Sequence, residues 1–102
     1  MDVNKWERLY KALANKRRLG IISSLSRHRE LSVAEISEQL HLSFKATSKH
    51  LNILKTEDLV QNEQRSRQVF YWLGPDQPPA VRCYLDDNLA HIRANEGKAK
   101  KG

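Results

Sequence analysis

Apolar residues recur at three- and four-residue spacing through the first half of the chain, alternate over two short stretches, and then return to helical spacing. Residues 2–14 carry Val3, Trp6, Leu9, Tyr10 and Leu13 on one stripe with Lys5, Glu7 and Arg8 opposite, the pattern of an amphipathic helix. Asn15 can cap a second helix reaching about residue 28, with Leu19, Ile22 and Leu25 inward. Gly20 inside it weakens the helix by about 1 kcal/mol relative to alanine, which implies the close approach of a neighbouring helix. Arg27-His28-Arg29-Glu30 is a polar connector, after which Leu31 can make a short extended pairing.

Residues 32–54 read as two short helices joined by a tight turn. Ser32 followed by Glu35 is a capping-box pattern, in which hydroxyl and carboxylate each satisfy a backbone N–H that the helix leaves free. Val33, Ile36 and Leu40 follow on one stripe, with Glu35, Glu38 and Gln39 outside. His41-Leu42-Ser43 interrupts the period, and Ser43 is a second N-cap. The next helix places Thr47, Leu51 and Leu54 inward, leaving Phe44, Lys45, Ser48, Lys49 and Asn52 outward. A polar, cationic face without acids suits the major groove, because carboxylates would be repelled by phosphate while hydroxyls, amides and ammonium groups bond to base edges and backbone. The stretch reads as a helix-turn-helix; the alternative is an ordinary helical hairpin with a solvated face.

Residues 59–63 and 68–73 then read as strands, with Val69, Tyr71 and Leu73 alternating to one face. They flank Gln64-Arg65-Ser66-Arg67 and predict a β-hairpin with two arginines at its tip. Gly74-Pro75-Asp76-Gln77-Pro78-Pro79 breaks regular structure. Residues 80–95 read as a last helix with Val81, Tyr84, Leu85, Leu89 and Ile92 on one stripe. Residues 1–95 are expected to form one domain, and 96–102, with three lysines and two glycines, a disordered basic tail.

Charge sharpens this picture. Lys and Arg number 18 against 12 Asp and Glu, a formal net charge of +6 in 102 residues, which favours an anionic partner such as nucleic acid over most other classes. One cysteine excludes an intrachain disulfide. No run approaches the roughly 20 apolar residues of a membrane span, and nothing resembles a signal peptide, so no membrane partner and a cytoplasmic location are expected.

With helix, helix, helix-turn-helix, hairpin and helix in that order, the chain resembles the ArsR/SmtB family of winged-helix repressors. The residues that carry the likeness are Ala12-Leu13-Ala14-Asn15 leading to Arg18-Leu19 and Ile21-Ile22, Leu42-Ser43 through Ser48-Lys49-His50-Leu51 and Leu54, Leu59-Val60, and Tyr71-Trp72-Leu73. The resemblance implies a mainly α fold with a small hairpin, α-α-α-α-β-β-α, dimeric through its first and last helices. It also implies a homodimeric regulator of transcription, a repressor, on an inverted-repeat duplex DNA operator, with the 43–56 helix in the major groove and the hairpin beside it as a wing. Metal sensors of that family carry Glu-Leu-Cys-Val-Cys-Asp where this chain has Glu30-Leu31-Ser32-Val33-Ala34-Glu35. Hydroxyl and methyl groups do not replace the thiolates that hold a thiophilic ion, so that site is not expected here. The family's other site, on the last helix, needs an Asp-x-His pair, and no histidine stands two residues after Asp86 or Asp87. Ser66 stands where the family often has glycine, and Thr47 where it usually has valine.

The DNA-binding residues expected are thus Ser43, Phe44, Lys45, Ser48, Lys49, His50 and Asn52 on the helix, with Arg65 and Arg67 on the wing. Phe44 is placed either to touch a thymine methyl or to pack against Leu42; His50 reads as half-buried, bonding to backbone or phosphate. Trp6, Leu9, Tyr10, Val81, Tyr84, Leu85, Leu89 and Ile92 are the expected dimer interface, although the two terminal helices packing on one another is the plainer outcome. Cys83, Asp87 and His91, at i, i+4 and i+8, are ligand types for a transition ion, but an acid–histidine pair on a solvated helix face is common, and no metal or cofactor is expected. The four histidines lie on unrelated elements and there is no glycine-rich phosphate loop, so nothing supports an enzyme. The competing readings are a nonspecific architectural DNA- or RNA-binding protein and a protein-interaction winged helix.

Overall fold

A computed structural model describes residues 2–87. Helices α1 (Val3–Leu13), α2 (Lys16–Arg27), α3 (Val33–Leu40) and α4 (Phe44–Thr56) alternate with a small sheet of β1 (Leu31–Ser32), β2 (Val60–Arg65) and β3 (Gln68–Leu73), and a further helix, α5, begins at residue 79 and continues to 87, the last described. Of the expected last helix and tail, residues 88–102 lie outside the described part.

Each helix starts where the chain supplies an acceptor for its free N–H groups. Asp2 accepts from Asn4, Asn15 from both Arg17 and Arg18, and Ser43 from Ala46. Ser32 makes the full capping box: its Oγ accepts from the Glu35 N–H at 3.1 Å, and Glu35 accepts from the Ser32 N–H at 2.9 Å. The C-terminal ends of α3 and α4 both close through a residue in the left-handed region, His41 at φ 54° and Asp58 at φ 60°. There Leu42 donates to Ser37 and Leu59 to Leu54, the six-residue closure that reverses a helix and drives its next side chain inward. His41 thus makes the turn between α3 and α4.

Ile21, Ile22, Ile36, Leu51, Leu54, Leu59, Val60 and Val81 lose all or nearly all contact with water and form one core beneath the sheet. On α2 the inward positions are Ile21, Ile22 and Leu25, with Leu19 only half-buried; Ser23 and Ser24 are buried beside them. Gly20 lets α3 approach, since a Cβ there would meet Leu40 Cδ2 at 3.3 Å.

The sheet is antiparallel with order β1-β3-β2. Leu31 pairs with Tyr71 and Ser32 with Phe70, so the short extended pairing expected at Leu31 adds a third strand to the hairpin and fastens it to the start of α3. The hairpin is longer than expected: β2 continues to Arg65, which pairs with Gln68, and only Ser66 and Arg67 turn. Ser66 lies at φ 59° while Arg67 does not enter the positive region, the pattern of a type II′ turn, whose first position favours glycine. Ser66→Gly is accordingly expected to stabilise the domain by about 0.5–1 kcal/mol, the cost of a left-handed side chain less the extra backbone entropy that glycine loses. Thermal unfolding at fixed protein concentration measures it; an unchanged or lowered midpoint would mean that the serine offsets its own strain.

Candidate nucleic-acid interface

The inner face of α4 fixes its outer one. Thr47, Leu51 and Leu54 are fully buried, and the Thr47 hydroxyl donates to the Ser43 carbonyl at 2.9 Å, so the residue standing for a core valine leaves no polar group unmet. Across from them Ser43, Phe44, Lys45, Lys49 and Asn52 are exposed, and Ser48 is half-buried. Of the two placements read for Phe44, the structure takes the outward one: 61% of the residue is exposed at the first turn. No carboxylate occurs anywhere in α4. The surface therefore offers two hydroxyls, an amide, two ammonium groups and an aromatic ring, with no acid on the helix to repel phosphate.

His50 is occupied differently from expectation. It is half-buried, and its bond goes neither to backbone nor to a free edge: Nδ1 lies 3.3 Å from the Arg18 guanidinium. Because arginine only donates, Nδ1 must be the acceptor and the ring proton sits on Nε2. Burial first, then the charges of Arg18, Arg17 and Lys49, hold the His50 pKa below its ordinary value, so the imidazole is neutral at physiological pH. The same guanidinium donates to Ala12 O at 2.6 Å and Lys11 O at 3.2 Å, closing the C-terminal end of α1. Arg18 is thus a bracket between α1 and α4. Residues 18 and 50 are thirty-two apart, and no local pattern announces their meeting.

The wing arginines part company. Arg65 ends β2 rather than turning, and its guanidinium is held by the carboxylates of Glu30 and Glu63 with the Phe70 ring 5.1 Å away. Of the two arginines expected at the tip, Arg67 lies in the turn and Arg65 in the last strand pair beside it, one position inward and within reach of the connector before β1. Arg67 remains in the turn, exposed, with no side-chain partner among the described residues.

The expected dimer stripe also divides. Val81 and Leu9 are buried in the subunit's own core, so neither presents surface to a partner, a correction that follows from α1 and α5 each contributing a side chain to the one core cluster. Tyr84 is half-buried and its hydroxyl donates to Leu19 O at 3.0 Å; Leu85 packs against the same core. What stays outward is Tyr10, 55% exposed and stacked on Trp6 at 6.0 Å between ring centroids, and Val3, 76% exposed. Leu89 and Ile92 lie outside the described residues. So does His91, which leaves only Cys83 and Asp87 of that candidate ligand stripe described, both exposed. Where the family's metal sensors hold two thiolates, Ser32 is buried and capping α3 and Ala34 is exposed.

The model of the bacterial regulatory protein arsR family matches residues 15–62, from the cap of α2 through the start of the wing. The transcriptional activator HlyU of Vibrio cholerae is 42% identical over 73 residues, covering 72% of this chain and 67% of that protein. The arsenical resistance operon repressor of Escherichia coli K12 is 33% identical over 79 residues, 78% of this chain and 68% of that one. Among solved structures, the homodimeric winged helix-turn-helix DNA-binding domain of a possible ArsR-family regulator from Mycobacterium bovis superposes with a TM-score of 0.68 at 27% identity, covering 92% of this chain and 82% of that one.

Proposed function

The chain belongs to the ArsR family of bacterial regulatory proteins, and we propose that it works as a homodimeric, sequence-specific DNA-binding regulator of transcription. The observation that carries this reading is α4: an acid-free outer face of Phe44, Lys45, Ser48, Lys49 and Asn52 held rigidly by fully buried Thr47, Leu51 and Leu54. In this reading α4 enters the major groove, where Lys45, Ser48, Lys49 and Asn52 meet base edges and flanking phosphates, and Phe44 meets a thymine methyl. Arg67 reaches a phosphate or the minor groove beside it. His50 positions rather than reads: its Nδ1 is taken by Arg18, leaving one donor, Nε2–H. No helix among the described residues is long and apolar enough to cross a membrane.

Pairing through α1 and α5 places two α4 helices on one side of the assembly, and a two-fold pair matches an inverted repeat with half-sites about one helical turn apart. Bound there, the dimer excludes other proteins from the duplex it covers, which is repression where that duplex is a promoter. The support for pairing is the exposed Tyr10, stacked on a half-buried Trp6, and the exposed Val3, apolar surface of α1 that the described residues leave uncovered. The regulator is expected to sediment as a dimer at micromolar concentrations; a monomer at tens of micromolar, a range typical of weak association, sinks this part. The function itself is tested by fluorescence anisotropy on an operator selected from genomic DNA and on random duplex at several salt concentrations. Equal affinity for both duplexes at every salt would leave only a nonspecific binder, and no binding at low salt would remove DNA as the partner.

A further inference from the structure

The first turn of α2 is fixed against the middle of α4. The Arg18 guanidinium lies 3.3 Å from His50 Nδ1, and Asn15 Oδ1 accepts from the backbone N–H of Arg17 at 3.0 Å and of Arg18 at 3.1 Å. Arg17 and Lys49 immediately precede the two residues in contact, so one exposed cation from each helix borders the same junction. At 3.6 residues per turn, Lys49 lies on α4 between His50 and the outward Lys45 and Asn52. The junction therefore runs without a break into the outer face of α4.

Its charge has one sign. α2 carries Lys16, Arg17, Arg18 and Arg27, α4 carries Lys45, Lys49 and Lys55, and neither helix has an acid, although the chain has 12. The carboxylates nearest in sequence, Glu7 and Glu57, face Lys11 and Arg8 instead. Burial first, then the charges of Arg18, Arg17 and Lys49, lower the His50 pKa, as expected where cations gather. Arg18 is fixed by His50, Ala12 O and Lys11 O. Lys16, Arg17 and Lys49, in contrast, are exposed and their side chains make no hydrogen bond or ion pair among the described residues. Like charges held together repel, so these three do nothing for the fold, and an anion from outside offsets their repulsion.

We infer that Arg17, with Lys16 and Lys49, forms a second phosphate-binding edge that grips the duplex backbone beside the groove entered by α4. The inference rests on the regulatory reading of α4 and adds residues outside both the helix-turn-helix and the wing. Duplex DNA carries a charge about every 1.7 Å of its axis, so backbone flanks whatever groove α4 enters. Because Asn15 already caps α2, the contact is made by side chains and not by free N–H groups of the helix end. Phosphates carry no sequence, so this edge contributes affinity and salt dependence, not operator preference.

The test compares Arg17→Gln with Arg27→Gln, which removes the same charge from the other end of α2, about 15 Å away along the helix. Both side chains are exposed. Binding is followed by fluorescence anisotropy on operator and random duplex at several salt concentrations. Arg17→Gln should flatten log K against log salt by about 1.8 on both duplexes, one phosphate for each protomer of a dimer, and adding Lys16→Gln should flatten it further. The ratio of operator to random affinity should stay within about twofold of the parent's. Arg27→Gln should leave the slope nearly unchanged. Ethylation interference on the operator should lose one symmetry-related pair of phosphates in Arg17→Gln, different from the pair lost in Arg67→Ala. A slope no flatter for Arg17→Gln than for Arg27→Gln, an ethylation pattern identical to the parent's, or a loss of operator preference would each overturn the inference and leave the regulatory reading standing. A parent protein that binds no duplex at low salt sinks both.

Discussion

Leu51→Ala is expected to destabilise the domain by about 2–5 kcal/mol, the range for emptying a fully enclosed leucine site. Leu51 has no exposed surface and lies with Leu54 and Ile36 where α3, α4 and the sheet converge, so there is little freedom for the walls to collapse into the gap. For a domain near 100 residues each kcal/mol moves the midpoint by roughly 4–8 °C, so the variant should melt at least about 8 °C lower. Asn52→Ala, one position on but outward, should change stability by no more than about 0.5 kcal/mol. Both must be measured at one protein concentration, because association of subunits raises the apparent stability of the pair. The two substitutions should exchange rank on DNA: at a temperature where both variants are folded, Asn52→Ala loses operator affinity and Leu51→Ala retains most of it. A Leu51→Ala protein that melts with the parent would mean that α4 is not held by this core.

The second large effect separates reading from clamping. Lys45→Ala or Ser48→Ala is expected to cost about 1–3 kcal/mol on the operator and much less on random duplex, because these side chains stand on the outer face of α4 within reach of base edges. Arg67→Ala should instead weaken both duplexes by similar factors. It should also flatten the dependence of log K on log salt by about 0.9 for each phosphate no longer neutralised, or about 1.8 with both wings of a dimer. Arg65→Ala should leave that slope nearly unchanged. Its guanidinium is already committed to Glu30 and Glu63, and an exposed pair of this kind contributes about 0–1 kcal/mol, so the variant's main mark is a slightly looser wing. A salt slope that responds to Arg65 as strongly as to Arg67 would mean that DNA draws Arg65 out of its ion pairs. Loss of sequence preference on changing the wing, with uniform loss on changing the helix, would reverse the two roles.

The helix-turn-helix was legible because its signals are local. Caps lie within three residues of what they cap, as Ser32 does with Glu35 and Ser43 with Ala46. Helical period alone separates Thr47, Leu51 and Leu54 from Phe44, Lys45 and Lys49, and the structure keeps that division side chain by side chain. The same periodicity does not reveal what a face packs against. Leu9, Val81, Tyr84 and Tyr10 share the apolar stripes of α1 and α5, yet the first two are core, the third is tied to α2 and only Tyr10 is largely outward. An apolar stripe records that burial is favourable, not whether the covering surface belongs to the same chain.

The amino-acid sequence by itself determined the order of the elements, the two caps that bound the helix-turn-helix, the acid-free face of α4 and the absence of thiolates where Ser32 and Ala34 stand. These follow from interactions spanning one helical turn or one strand pair, or from residue chemistry alone. Only the tertiary structure decided that Arg65 is held while Arg67 has no side-chain partner among the described residues, and that His50 takes its bond from Arg18 with its pKa held below the ordinary value. Each depends on residues meeting from distant parts of the chain: Glu30 with Arg65, and Arg18 with His50. Charge–charge and hydrogen-bond effects fall off within a few ångströms or one Debye length, so the state of a titratable or cationic group is set by its neighbours in space, and the fold alone brings those neighbours together.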